Sequence, residues 1–136
     1  MRRLNRLVAA AAVGGLVAAG CSGSDDDRAS GSGWARRTVE VGRVEIEATP
    51  LTVDDSGVEI RLVFDTHTVT LDTDIAAVAS LVASDVDHRD GSWDGDGPGG
   101  HHREGVLRFA DAQPGDEAFE LRLDGFDEPV AFRWPS

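Results

Sequence analysis

The sequence predicts an all-β domain, an immunoglobulin-like antiparallel β-sandwich, over residues 34–136. Hydrophobic and polar residues alternate along most of this segment, as they do in strands that bury one face. Short runs rich in Asp, Gly and Pro separate the alternating stretches, as turns do. The chain has one cysteine, so the domain would lack the disulfide that joins the two sheets of antibody domains.

The predicted strands follow the alternation from residue 37 onward. The phase of the alternation changes at Gly42, which indicates a bulge or a tight turn between the first two strands. Residues 73–85 have helical spacing and predict one helical turn leading into a strand that begins near Ala79. The other strands are predicted at Val39 and Val41; Val44, Ile46 and Ala48; Val58 to Phe64; Val69 and Leu71; Val106 to Phe109; Phe119 to Leu123; and Val130 to Trp134.

Turns and a core complete the predicted domain. Asp, Gly and Pro cluster at residues 54–57, 113–116 and 124–129, where the chain is expected to reverse. The side chains expected to be buried are Ile60, Leu62, Phe64, Phe109, Leu121, Leu123, Phe132 and Trp134.

The first 20 residues have the composition of a secretory signal peptide. Arg2, Arg3 and Arg6 form a positive segment, and the apolar run at residues 7–19 is shorter than the roughly 20 residues of a membrane-spanning helix. We therefore predict a signal helix over residues 1–20. This helix does not belong to the folded domain.

The sequence LVAAGC, residues 16–21, resembles the lipobox of bacterial lipoproteins, in which small residues precede a cysteine. The resemblance implies that Cys21 carries lipid, palmitate included, and becomes the first residue of the mature chain. Two or more acyl chains anchor a protein stably, so the chain is expected on the extracytoplasmic face of a cell-envelope membrane. An ordinary secreted protein with a free thiol is the alternative.

Residues 21–33 are small, polar and acidic, and they predict a flexible linker between Cys21 and the domain. Loss of three signal-peptide arginines leaves 10 of the 13 basic residues against 25 acidic ones, a net charge of about −15. Such a surface repels phosphates, so we do not expect nucleic acid or anionic lipid headgroups as partners. The membrane would be reached through the lipid anchor alone.

Candidate functional residues concentrate in residues 85–104, DVDHRDGSWDGDGPGGHHRE. One hypothesis is calcium, since acidic loops with glycines bind this ion. The spacing departs from the EF-hand pattern, because Arg89 occupies the place of a carboxylate and no glutamate closes the loop. Calcium is therefore the less favoured metal. The carboxylates concerned are Asp85, Asp87, Asp90, Asp94 and Asp96.

A second hypothesis is a copper or zinc site. His101 and His102 are adjacent, so in an extended chain their side chains point to opposite faces and do not readily bind one ion together. A site would combine at most one of them with His67, His88 or a carboxylate such as that of Asp65. A sandwich could bring the strand that ends near His67 close to the Gly99-Gly100 loop.

The third hypothesis, which we favour, is structural. His and Arg would neutralise the carboxylates, Trp93 would cover one end of the sandwich, and Gly99 and Gly100 would supply unusual backbone angles. Trp93, Arg103 and Glu104 would then be loop contacts rather than ligands. No cofactor is required by this hypothesis.

Segments DTHT (65–68), WDG (93–95) and GGHHREGVLRF (99–109) precede a final aromatic strand. Together they resemble a group of uncharacterised bacterial and archaeal extracellular domains with the elements D-T-H-[ST], W-x-G and G-G-H-H-x-x-G-x-L-x-F. The likeness covers residues 48–134. It implies a β-sandwich and directs attention to Asp65, His67, Trp93, His101 and His102, and it implies no reaction.

An enzyme is not expected. A hydrolase needs an activated nucleophile, but Cys21 is assigned to lipid and no serine lies in a G-x-S-x-G setting. Asp65 and His67 could form an acid/base pair, although an orienting hydrogen bond is the simpler interpretation. The sequence therefore favours a non-enzymatic binding or interaction module with an unidentified envelope partner. The alternative is an envelope copper- or zinc-binding protein.

Overall fold

The structure, a computed structural model, describes residues 34–135. The predicted signal helix (1–20) and the lipidated cysteine with its linker (21–33) lie outside the described residues. Within residues 34–135 the elements are β1 (Arg37–Val41), β2 (Val44–Asp54), β3 (Gly57–Thr66), α1 (Ile75–Val78), β4 (Ala79–Ala83), β5 (Val86–His88), β6 (Ser92–Gly95), β7 (His102–Phe109), β8 (Phe119–Leu123) and β9 (Val130–Trp134). In this part of the chain no helix is both long and apolar enough to cross a membrane.

The strands form two antiparallel sheets. The first sheet has the order β1-β2-β3-β7-β6, and the second has the order β5-β4-β8-β9. The run β2-β3-β7-β6 reproduces the A-B-E-D order of an immunoglobulin domain, and β5-β4-β8-β9 reproduces C′-C-F-G. β1 is one further strand beside β2. The predicted all-β, immunoglobulin-like sandwich is therefore confirmed.

The core lies between the two sheets. All eight side chains predicted to be buried are at most 3% exposed. Aromatic rings stack within the core: Phe119 and Trp134 have centroids 5.1 Å apart, and Phe64 and Phe126 have centroids 5.9 Å apart. The alternation read from the sequence therefore identifies the buried faces correctly.

Several local predictions are also confirmed. The phase change at Gly42 is a two-residue turn, in which Gly42 has a φ of 58° and Val41 pairs with Val44. The helical turn spans Ile75–Val78, and the following strand begins at Ala79. The side chain of Asp74 accepts a hydrogen bond from the amide of Ala77 and caps this helix.

Two predictions about strands are wrong. Val69 and Leu71 lie in the loop between β3 and α1, where Val69 is 37% exposed. Leu71 is buried, and its amide and carbonyl bond to the Gly99-Gly100 turn rather than to a neighbouring strand. The segment 85–104, expected to be a loop, contains β5, β6 and the first residues of β7. Both sheets therefore extend further than the sequence pattern indicates.

The sandwich has two distinct ends. One end, which we call the distal end, is formed by the turn at 42–43, the β3–α1 loop (67–74), the β6–β7 loop (96–101) and the β8–β9 turn (124–129). The proximal end contains the turns at 55–56 and 84–85 and the β7–β8 loop (110–118). The N-terminal residue described, Trp34, packs at the proximal end.

Two contacts fix this N-terminal segment. The rings of Trp34 and Phe119 meet edge to face with centroids 5.2 Å apart. The indole of Trp134 donates a hydrogen bond of 2.7 Å to the carbonyl of Ala35. The chain therefore enters the domain opposite the distal end.

Phe64→Ala is expected to lower the free energy of unfolding by about 3 to 5 kcal/mol, because a fully buried ring leaves a cavity in the core. Denaturant unfolding followed by tryptophan fluorescence measures this change. Val63→Ala is the matched control, since Val63 is half-buried on the opposite face of the same strand, and it should cost less than about 1.5 kcal/mol. A Phe64 effect below about 1 kcal/mol would contradict the register.

Candidate functional site

The residues singled out in the sequence meet at the distal end, where β3 ends and β7 begins. Asp65 lies opposite His102 in the β3–β7 pair. The amide of Thr66 donates a hydrogen bond of 3.0 Å to the carbonyl of His101. The structure thus brings the DTH segment against the GGHH segment.

His102 and Asp65 form an exposed pair on the outer face of the first sheet. Nδ1 of His102 lies 2.6 Å from Oδ1 of Asp65, and its Nε2 lies 3.7 Å from the carboxylate of Glu104. Glu104 accepts a hydrogen bond of 3.0 Å from Arg61. These four residues, the His102 network, cross β3 and β7, and each ring nitrogen of His102 faces a carboxylate.

The folded structure favours the protonated form of His102. The hydrogen bond with Asp65 is the main reason that the pKa of His102 is raised above its ordinary value. The negative charges of Asp65, Glu104 and Asp96 also raise this pKa, while desolvation lowers it. The imidazolium form therefore strengthens the contact between β3 and β7.

Arg103 points into the domain and is 3% exposed. Its Nη1 donates hydrogen bonds to the carbonyls of Leu71 at 3.2 Å and Thr73 at 2.7 Å. Its Nη2 donates to the carbonyl of Asp96 at 3.2 Å. The guanidinium also lies 5.8 Å from the centre of the Trp93 ring. This Arg103 network joins the β3–α1 loop to β6, β7 and the loop between them.

Trp93 and two glycines shape the same region. The indole of Trp93 donates a hydrogen bond of 2.9 Å to the carbonyl of Asp96. Gly95 and Gly105 lie opposite each other, and a Cβ on Gly105 would come within 2.7 Å of the Trp93 ring. The glycines therefore let two strands and an indole approach closely. Trp93 also meets Phe64 edge to face at 6.2 Å, at the edge of the core.

The predicted copper or zinc ligands do not form one cluster, although Asp65 and His102 are in contact. Among residues 34–135, no group of three or more His, Cys, Asp or Glu side chains is arranged to hold a metal ion. Asp65 pairs with His102 across the strands, whereas the sequence suggested a pair with His67. His67 lines a hollow together with Asp65, and His101 contributes its carbonyl to the strand pairing.

The acidic run from Asp85 to Asp96 does not form a calcium loop among the described residues either. Asp87 lies 2.9 Å from the guanidinium of Arg89. The Asp96 carboxylate accepts a hydrogen bond of 3.0 Å from the amide of Glu104. These carboxylates therefore stabilise short strands and turns, and β5 and β6 hold them apart.

A second ionic cluster lies on the outer face of the second sheet. Glu120 is only 9% exposed, and its carboxylate accepts hydrogen bonds from Arg122 and, at 2.6 Å, from Arg133. The hydrogen bond from Arg122 and then that from Arg133 hold the pKa of Glu120 below its ordinary value. The cluster joins β8 to β9.

An open hollow at the distal end was not predicted from the sequence. It has a volume of about 440 Å³ and is formed by the 42–43 turn, the β3–α1 loop and the β8–β9 turn. We call it the distal hollow. The residues that line it are Val41, Arg43, Val44, Val69, Thr70, Leu71, Asp72, Thr73, Gly125, Phe126 and Asp127. The only sequence signal for it is the turn chemistry at Gly42 and Gly125.

Comparisons with protein-family models, curated proteins and solved structures found no match to this chain. The resemblance of the DTH, WDG and GGHH segments to uncharacterised extracellular domains stays a prediction. The distal hollow shares Leu71 and Thr73 with the Arg103 network.

Arg103→Leu is expected to lower the free energy of unfolding by about 2 to 3 kcal/mol, because buried carbonyls lose their donor. Arg103→Lys should recover only part of this, since an ammonium cannot reproduce the planar fork of donors. Denaturant unfolding provides the measurement. Arg108→Leu, which removes an exposed ion pair with Glu59, should change stability by less than about 1 kcal/mol. Equal effects of the two leucine variants would contradict the role of Arg103.

The raised pKa of His102 predicts a pH-dependent stability. The stabilisation that protonated His102 gives the folded state is fully present below the unfolded pKa of 6.5. It is lost as the pH rises through the higher pKa of the folded state. The melting temperature should therefore fall as the pH rises through the range just above 6.5. Asp65→Asn should remove most of this slope, and His67→Gln should leave it. Melting curves between about pH 5.5 and 8.5 provide the measurement, and an unchanged slope in Asp65→Asn would contradict the prediction.

Proposed function

We propose that this chain is a lipoprotein anchored on the extracytoplasmic face of a cell-envelope membrane. Its β-sandwich would act as a non-enzymatic binding or interaction module. The observation that carries the proposal is LVAAGC, whose Cys21 is followed by a short acidic linker and then by the domain. A signal segment, a lipid site and a linker in this order are what a surface-displayed module requires.

The entry point of the chain supports the same proposal. Trp34 and Ala35 contact Phe119 and Trp134 at the proximal end. A tether to lipid would therefore leave from the proximal end and would not cover the distal hollow. Such an attachment suits contact with another envelope protein.

The chemistry of the distal end supports binding over catalysis. His102 and Asp65 resemble two members of a catalytic triad, but the second ring nitrogen of His102 faces the carboxylate of Glu104. A triad needs a hydroxyl or thiol nucleophile at that nitrogen. The pair is therefore better suited to holding β3 against β7. The Arg103 network likewise serves to fix loops.

Cys21→Ser is expected to move the protein from the membrane fraction to the soluble fraction, because the variant has no thiol to acylate. Fractionation with an antibody to the domain, together with labelling by an alkyne-tagged palmitate, measures both location and lipidation. Ser24→Ala is the control, since it changes a linker hydroxyl and leaves Cys21 in place. Retention of the unlabelled Cys21→Ser protein on membranes would point instead to an uncleaved signal segment or a partner, and absence of palmitate label from the wild-type protein would contradict a lipid anchor.

A further inference from the structure

We propose that the distal hollow binds a cationic polypeptide segment with an apolar side chain at its centre. This inference rests on the proposed function as a binding module and names the chemistry of its partner. The hollow has a volume of about 440 Å³, within the range of sites that hold several side chains. The partner proposed is therefore a basic segment of another envelope protein.

The floor of the hollow is apolar. Val41, Val44 and Leu71 are buried beneath it, and Phe126 is half-buried at its side. Val69 is 37% exposed at its rim, and within residues 34–135 Val86 is the other large hydrophobic residue with such exposure. An apolar side chain that enters the hollow would cover Val69 and gain the free energy of burial.

The rim of the hollow is acidic. Asp72 and Asp127 are exposed on it, and Arg43 is the one basic residue that lines it. On the other side of Arg43 lies a second hollow of about 200 Å³, lined by Glu40, Glu45, Asp65, Thr66 and His67. Carboxylates therefore outnumber guanidinium groups around both hollows. A lysine- or arginine-rich segment complements this charge, and an acidic partner is repelled.

Charge alone does not select this end, because Asp111 and Asp116 are exposed at the proximal end. The proximal end also has a hollow, of about 320 Å³, but two guanidinium groups line it, those of Arg122 and Arg133, and both hold the carboxylate of Glu120. The distal hollow is larger, at about 440 Å³, and Arg43 is the one basic residue that lines it. Its backbone is also held in place, since Leu71 and Thr73 accept hydrogen bonds from Arg103. A preformed hollow loses little entropy when it binds a segment.

The test uses the full lipidated chain in micelles of a non-ionic detergent and three probes. The first probe is a fluorescent peptide with two lysines on each side of a Leu-Phe pair. The second has Ser-Ser in place of Leu-Phe, and the third has glutamates in place of lysines. Fluorescence anisotropy measures the affinity of each peptide, and spermidine is added as a competitor.

The decisive variants are Asp72→Asn/Asp127→Asn, which removes the charges of the rim, and Val69→Ser, which removes its exposed apolar side chain. The matched control is Asp111→Asn/Asp116→Asn, which removes the same charge from the proximal end. We expect the rim variant to weaken binding of the first peptide by about tenfold and the control to leave it within about twofold. Val69→Ser should weaken the first peptide and leave the second unchanged. Melting temperatures establish that each variant is folded.

Three results would overturn the proposal. The wild-type protein could fail to bind the first peptide better than the glutamate peptide. The rim and control variants could weaken binding equally, which would indicate diffuse attraction by the acidic surface. Finally, the first two peptides could bind with equal affinity while spermidine displaces both of them. That result would indicate a site for small cations. Failure here leaves the Cys21→Ser fractionation unaffected, so the two proposals fail separately.

Discussion

A buried guanidinium is the constraint on which the distal end depends. A charge removed from water must be given hydrogen-bond partners, and Arg103 obtains them from the carbonyls of Leu71, Thr73 and Asp96. Two of these carbonyls belong to the loop that crosses from the first sheet to the second, and the third lies after β6. A loop without regular secondary structure is therefore held in one conformation. Since Leu71 and Thr73 also line the distal hollow, the wall of the hollow that this loop forms depends on this one side chain.

Arginine serves two opposite purposes in the sandwich. At the distal end the buried group is the cation, and backbone carbonyls surround it. On the second sheet the buried group is the carboxylate of Glu120, and Arg122 and Arg133 surround it from more exposed positions. All 13 basic residues of the chain are arginine. A planar group with several donors suits both arrangements, because it can satisfy more than one acceptor without moving.

The fold could be predicted where inward positions carry apolar side chains, as in β3 and β8. The start of β7 could not, because its first inward positions hold Arg103 and Gly105, which break the alternation. The strand β5 could not be predicted either, for a different reason. The turn before it consists of Ser84 and Asp85 at φ values of 50° and 63°, a conformation that Asn and Gly usually supply. The distal hollow could not be predicted, since it is formed by three segments far apart in the sequence.

The GGHHREG segment explains why a histidine pair in a strand is a poor sign of a metal site. Its residues alternate between the two faces of β7, so each face makes different contacts. His102 and Glu104 lie outward with Asp65 and Arg61, whereas Arg103 and Gly105 lie inward against the loops and Trp93. His101 precedes the strand and contributes its carbonyl. Adjacent residues of one strand cannot converge on an ion, because the pleat separates them. The same separation lets one short segment hold the outer face, the core and the crossover loop together.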